Sequence, residues 1–109
     1  MTVKVVFLHS AEADLKEIRS YLLKHFGRET WQASYSKIKD SVAVIQSFPG
    51  GGNVPDELAS LNLAHYRQVI SGMNRIIYEV RGETAYVHIV CDARKDLRSV
   101  LTKRLLRAV

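Results

Sequence analysis

Residues 66–96, YRQVISGMNRIIYEVRGETAYVHIVCDARKD, constrain the chain more than any other stretch. Three runs rich in Val, Ile and Tyr, namely Tyr66–Ser71, Arg75–Val80 and Thr84–Asp92, are separated by Gly72-Met73-Asn74 and Arg81-Gly82-Glu83. Short β-branched and aromatic runs broken by glycine-containing turns predict an antiparallel meander. No apolar stripe at helical spacing crosses the turns. Period-two alternation places Val87, Ile89 and Cys91 on one face of the last strand, toward helices, and Tyr86, His88, Val90 and Asp92 on the other. In the middle strand Ile76, Tyr78 and Val80 are the core set, leaving Arg75, Ile77 and Glu79 opposite. Arg67, Arg75, Arg94 and Lys95 mark the edges of this sheet.

Upstream, Thr2–Leu8 reads as a strand and Ala11–Phe26 as a helix. Ala11, Leu15, Ile18 and Leu22 form its apolar face, Ser10 is the candidate cap, and Gly27 follows its end. Trp31, Tyr35, Ile38, Val42 and Ile45 repeat at intervals of four and three, predicting a second helix with that whole seam buried, stopped by Pro49. Two amphipathic helices so closely joined pack as an antiparallel hairpin. Trp31 and Tyr35 then fall near its tip beside Phe26, as a cap on the helix–helix core or as a protein-binding surface. The run Pro49-Gly50-Gly51-Gly52-Asn53-Val54-Pro55 reads as a flexible return to the sheet. It is not a phosphate loop, because no Lys-Ser/Thr follows and no strand precedes it. Asp56–Leu61 can form one helical turn. The chain closes on a basic helix over Asp96–Arg107, striped by Leu97, Leu101 and Leu105 with Val100 alongside, and capped by Asp96. The expected architecture is a single α+β domain spanning 1–109: an N-terminal strand, an antiparallel helical hairpin packed on a mainly antiparallel four-stranded sheet, and a C-terminal helix.

Charge is unevenly placed. Residues 1–65 hold seven Lys/Arg and seven Asp/Glu, whereas residues 66–109 hold nine and four, so the entire +5 lies in the sheet and last helix. Such asymmetry suits a polyanion or an acidic protein partner. The four histidines are not at ligand spacing and Cys91 stands alone, so neither a metal nor an internal disulfide is expected, and no nucleotide fingerprint implies a cofactor. No apolar run approaches the length of a membrane span and the N-terminus lacks a signal-peptide pattern, which points to a cytoplasmic protein without a membrane partner.

Arg67, the run Gly72-Met73-Asn74-Arg75-Ile76-Ile77-Tyr78-Glu79-Val80 and the corner Asp92-Ala93-Arg94-Lys95-Asp96-Leu97 resemble toxins of the RelE/ParE superfamily, the toxic halves of bacterial type II toxin–antitoxin modules. The resemblance covers nearly the whole chain. It implies a cognate acidic antitoxin bound in a hetero-oligomer, by a segment that folds over the basic half. It implies target- or antitoxin-binding roles for Arg67, Arg75, Arg94, Lys95 and Arg98, to which the aromatic pair Trp31 and Tyr35 adds a candidate surface.

Two targets follow from it. A RelE-like ribosome-dependent mRNA endoribonuclease would use Arg75 and Arg94 on the scissile phosphate and Tyr86 or His88 for proton transfer. Several features depart from that pattern. Ile70 stands about where the ribonucleases carry an Arg, Asp96–Val109 contains no Tyr or His, and Asn53–His65 contains no Lys or Arg. A ParE-like toxin, which inhibits DNA gyrase and so blocks replication, needs no catalytic residue. The Gly-x-Asn-Arg-Ile-Ile-Tyr strand and the long uninterrupted hairpin resemble that branch more closely. Without a target, Arg67, Arg75 and Arg94 would instead pair with Glu79, Asp92 and Asp96 to fix the sheet.

Overall fold

The computed structural model describes residues 2–108, with side chains through residue 104. Eight elements follow in order: β1 (Lys4–Phe7), α1 (His9–His25), α2 (Arg28–Ser47), α3 (Asp56–Ala59), β2 (Tyr66–Ser71), β3 (Asn74–Arg81), β4 (Thr84–Asp92) and α4 (Leu97–Ala108). One sheet has the order β1-β4-β3-β2. β2–β3 and β3–β4 are antiparallel hairpins, and β1 joins the far side of β4 in parallel. The α+β architecture expected from the sequence is the one observed, with the three meander strands placed to within a residue.

The sheet has two covered faces. The α1–α2 hairpin packs on one, over Ala11, Ile38, Ile45, Ile76, Tyr78, Ala85, Val87 and Val90, with Val3, Val5 and Phe7 against them. The other carries Leu58, Ile77, Ile89, Cys91 and Leu97, with Val100 and Leu101 of α4 laid over it. The Leu105 part of the α4 stripe and the Arg107 charge lie outside the described side chains.

The predicted faces of β4 need correction. The β3–β4 register shifts between Ile77, paired with Ile89, and Tyr78, paired with Val87, so His88 has no partner opposite it. One inserted residue inverts the alternation. Ala85, Val87 and Val90 therefore face the hairpin, while Ile89 and Cys91 face α3 and α4. Val80, expected in the core, is exposed because it lies beyond the last β2 partner pair, Tyr66–Glu79.

Helix details differ too. Ser10 does not cap α1. The helix starts two residues earlier, at His9 after Leu8, which makes no side-chain cap bond, and Ser10 Oγ donates to the His88 carbonyl at 3.4 Å. Leu8 N–H is bonded to the Val87 carbonyl and its own carbonyl receives Glu12 N–H, so the strand hands directly into the helix. Gly27 has φ +94°, which lets the chain leave α1 and enter α2 within two residues. In α2 the seam is buried at Ile38 and Ile45 but Tyr35 is 44% exposed. At about 100° per residue, Tyr35 lies roughly 80° from Ile45, at the edge of the arc that α2 turns to the sheet.

The glycine run is pinned rather than flexible. Tyr78 Oη donates to the Pro49 carbonyl at 2.7 Å and receives Gly52 N–H at 3.2 Å. A Cβ at Gly52 would stand 2.6 Å from Tyr78 Oη and 2.7 Å from the Gln68 carbonyl, so no larger residue fits. Asp96 caps α4 as expected, its Oδ1 accepting Arg98 N–H at 3.1 Å. Asp96→Ala is expected to lower stability by about 1 kcal/mol, the usual size of an N-cap loss. A melting temperature equal to the parent's would show that this cap contributes nothing.

Candidate functional site

The cations that the sequence singles out separate into three environments. Arg67 donates from Nη1 to the carbonyls of Gly52 (2.7 Å) and Gly50 (3.2 Å), tying β2 to the glycine run.

Arg75, the second residue of β3, is only 7% exposed. Its Nη1 and Nη2 reach the two carboxylate oxygens of Glu57 at 2.8 and 3.0 Å, its Nε reaches Gln68 Oε1 at 2.8 Å, and Nη1 also reaches the Lys95 carbonyl at 3.2 Å. Glu57 completes the bracket by accepting Leu97 N–H at 3.3 Å. Arg75 holds the Glu57 carboxyl down at about 2, against the opposing effect of burial. Thus α3, β2, β3 and the start of α4 are locked together around one guanidinium. Sequence reasoning missed Glu57 because it pairs across 18 residues and reads locally as an acidic helical turn.

Arg94, Lys95 and Arg98 form the third environment, an exposed corner between β4 and α4. Arg94 grips Asp92 through Nε (3.0 Å) and Nη2 (2.9 Å), and its own N–H reaches Asp92 Oδ1 at 2.8 Å. Those bonds hold the Asp92 carboxyl at about 2. The pair is exposed, so the Arg94 guanidinium keeps most of its surface for a partner. Arg98 leans on Asp96 at 3.4 Å. The alternative pairing is right for Arg94, whereas Arg75 chooses Glu57 and Arg67 chooses carbonyls.

At the other end of the second sheet face, Glu79 gathers three partners. His88 Nε2 and Arg81 Nη2 each lie 3.1 Å from its Oε1, and His65 Nε2 lies 3.6 Å from its Oε2. Burial raises the Glu79 carboxyl, but the Arg81 and His88 contacts outweigh it and leave it below its ordinary value. Tyr66 packs edge-on against His88, and Arg81 lies over Tyr86. The four ribonuclease candidates are therefore divided: Arg75 with Glu57, Arg94 with Asp92, and Tyr86 and His88 near Glu79. Trp31 and Tyr35 stack on each other at 5.3 Å on α2, and Lys39 approaches the Tyr35 ring at 5.3 Å. Among the described residues no group of His, Cys, Asp and Glu could hold a metal ion, and no helix is long and apolar enough to cross a membrane.

A strand, a helical hairpin, a three-stranded meander and a terminal helix, with a basic corner between β4 and α4, make a small α+β protein. Residues 5–100 match the family described as the ParE toxin of type II toxin–antitoxin system, parDE, and the chain belongs to that family. Comparison with curated protein sequences gives no significant match. Among solved structures it is similar to a chain of the chromosomal ParDE toxin–antitoxin system from P. aeruginosa, at TM-score 0.68 and 16% identity, covering 84% of this chain and 96% of that one. It is similar also to a chain of the RelBE2 toxin–antitoxin complex from Mycobacterium tuberculosis (TM-score 0.58, 17% identity, 84% and 99% covered). A third is the YoeB/ParE toxin from Agrobacterium tumefaciens (TM-score 0.54, 18% identity, 82% and 96% covered). At these identities the three structures show the shared fold.

Proposed function

We propose that this toxin is ParE-like in action as well as in family: it inhibits DNA gyrase in the cytoplasm, blocks replication, and is neutralised by a cognate acidic antitoxin in a hetero-oligomer. The observation that carries the choice of target is the commitment of Arg75. Its guanidinium is buried and four of its five N–H donors are already bonded to Glu57, Gln68 and the Lys95 carbonyl, which leaves one Nη2 donor and little exposed surface for a scissile phosphate. The exposed cations at the corner, Arg94, Lys95 and Arg98, suit recognition of a partner surface rather than proton transfer. The basic half of the chain supports an acidic antitoxin in the same way.

One observation favours the runner-up, a RelE-like endoribonuclease: two histidines and a carboxylate meet at Glu79, the residue types that general acid–base cleavage uses. Arg81 and both histidines already occupy that carboxylate, however, so it is not poised to take a proton from a substrate hydroxyl.

Purified protein is expected to inhibit gyrase supercoiling and to leave translated mRNA intact. Arg94→Ala is expected to keep the parent's melting temperature while relieving growth arrest, since the side chain is exposed and its one ion pair is of the kind worth about 0–1 kcal/mol. Codon-phased mRNA cuts with unaffected supercoiling would replace the gyrase reading by the ribonuclease one.

A further inference from the structure

The two edges of the sheet are treated differently. β2 is covered: Gln68 N–H is bonded to the Asn53 carbonyl at 2.8 Å, and Arg67 holds the carbonyls of Gly50 and Gly52 alongside. β1 forms the other edge and has no strand beyond it among the described residues. Lys4 and Leu8 N–H are bonded inward, to the Glu83 and Val87 carbonyls at 3.0 Å each. Successive backbone groups of a paired strand point to alternate sides. The N–H and C=O of Val5, the N–H of Phe7 and the Val3 carbonyl therefore point away from β4. Val3 N–H is already spent on the Gln46 carbonyl at 3.0 Å.

The surroundings of this open edge are apolar. Val3, Val5 and Phe7 pack against the core yet remain only partly buried. Val44 and Phe48, on either side of Gln46 at the end of α2, are 51% and 70% exposed. Proteins ordinarily blunt such an edge with a Pro, a bulge or several charges. β1 has no Pro and no register shift, and its one charge is Lys4, on the face opposite Val5 and Phe7.

The edge is also complementary to itself. In an antiparallel pairing centred on Val5, that residue meets Val5 of the second copy, Val3 meets Phe7, and Lys4 meets Val6. The two Val5 residues exchange N–H···O=C bonds, and each Phe7 N–H reaches a Val3 carbonyl. A pairing centred on Lys4 would set two lysines opposite each other, which is unfavourable. One centred on Phe7 would run into α1, which starts at His9.

We propose that β1 pairs antiparallel, about Val5, with β1 of a second copy of this chain, joining the two four-stranded sheets into one. Such an interface is isologous, as two-fold symmetry requires. Each copy carries a net charge of +5, so the copies repel and the dimer tightens as salt screens them. From Val87, its last β1 partner, β4 runs on to Asp92, about 16 Å further. The corner cations Arg94, Lys95 and Arg98 therefore stand clear of the interface, one set on each copy, whichever target they meet.

Sedimentation equilibrium and amide hydrogen exchange on the full-length chain test the pairing. A dimer in the micromolar range, tighter at high salt, is expected. In it the amides of Val5, Val6 and Phe7 are all protected; on dilution Val5 and Phe7 lose protection and Val6 keeps it. Val5→Pro removes an outward N–H at an edge position, where Pro is tolerated, and should weaken the dimer by about tenfold or more. The dilute variant should melt within a few degrees of the parent. Should Val5→Pro not fold, the exchange pattern of the parent chain decides. A chain that stays monomeric at every concentration overturns the proposal. So does a dimer in which Val5 and Phe7 exchange freely, which would put its interface elsewhere. Protection of those amides only when an acidic partner protein is added overturns the second copy and gives the edge to that partner.

Discussion

Ile38→Ala and Ile45→Ala are each expected to lower stability by about 2–5 kcal/mol, the range for truncating a buried aliphatic side chain. Both residues sit in the core between α2 and the sheet, against Ile76 and Tyr78. The loss combines the transfer of the removed methyl groups with the cavity left behind, and well-packed strands cannot collapse to fill it. For a domain of this size each kcal/mol moves the melting temperature by several degrees, so a drop on the order of 10–20 °C is expected. Tyr35→Ala, on the same helix and in the same repeat of four and three, should move it by no more than a few degrees. Thermal melts of the three variants settle the orientation of α2. A Tyr35→Ala variant as unstable as Ile45→Ala would mean that the helix presents a different face to the sheet.

Glu57→Ala is expected to cost about 3–5 kcal/mol, because it leaves the Arg75 guanidinium buried without its carboxylate. Four segments meet on that guanidinium, so the loss should appear as a single cooperative destabilisation rather than as local fraying. Glu57→Gln keeps the shape and one acceptor and should fall between parent and alanine variant. The pair also sets the acid limb of the stability profile. The Glu57 carboxyl is held at about 2, below its ordinary value of 4.5, so the folded state binds its proton less readily than the unfolded one. That contribution is complete above about pH 4.5 and disappears as the pH falls through about 2. Denaturant titrations across this window should show the parent losing stability steeply and Glu57→Gln losing less. Equal slopes for the two would assign the acid limb elsewhere, to Asp92, also held at about 2, or to Glu79, also held below its ordinary value.

Several features of the molecule were legible from residue order alone. The meander followed from β-branched runs closed by glycine turns, and Gly72 and Gly82 adopt the positive φ those turns require. The hairpin followed from two apolar repeats separated by Gly27, and the α4 cap from Asp96 standing before an apolar stripe. These are local matters, because turn geometry, capping and periodicity act over a few residues and leave their mark within a few residues.

The rest was decided by contacts across long separations. Nothing local announces that His88 will be squeezed out of register, yet that bulge sends Ile89 and Cys91 to one layer and Val90 to the other. Nothing near Arg75 shows that its carboxylate comes from α3, or that Glu79 draws in His65 and His88 rather than Arg67. The glycine run looks slack in sequence, and it becomes rigid only when Tyr78 and Arg67 arrive from the sheet to bind its backbone. Tyr35 and Ile45 share one repeat, but Ile45 is buried in the core and Tyr35 is exposed. Sequence thus determined which segments become strands and helices, and where most of them begin and end to within two residues. Tertiary structure decided which face each shows and which charges are used up, because partner choice depends on three-dimensional proximity that no local pattern encodes.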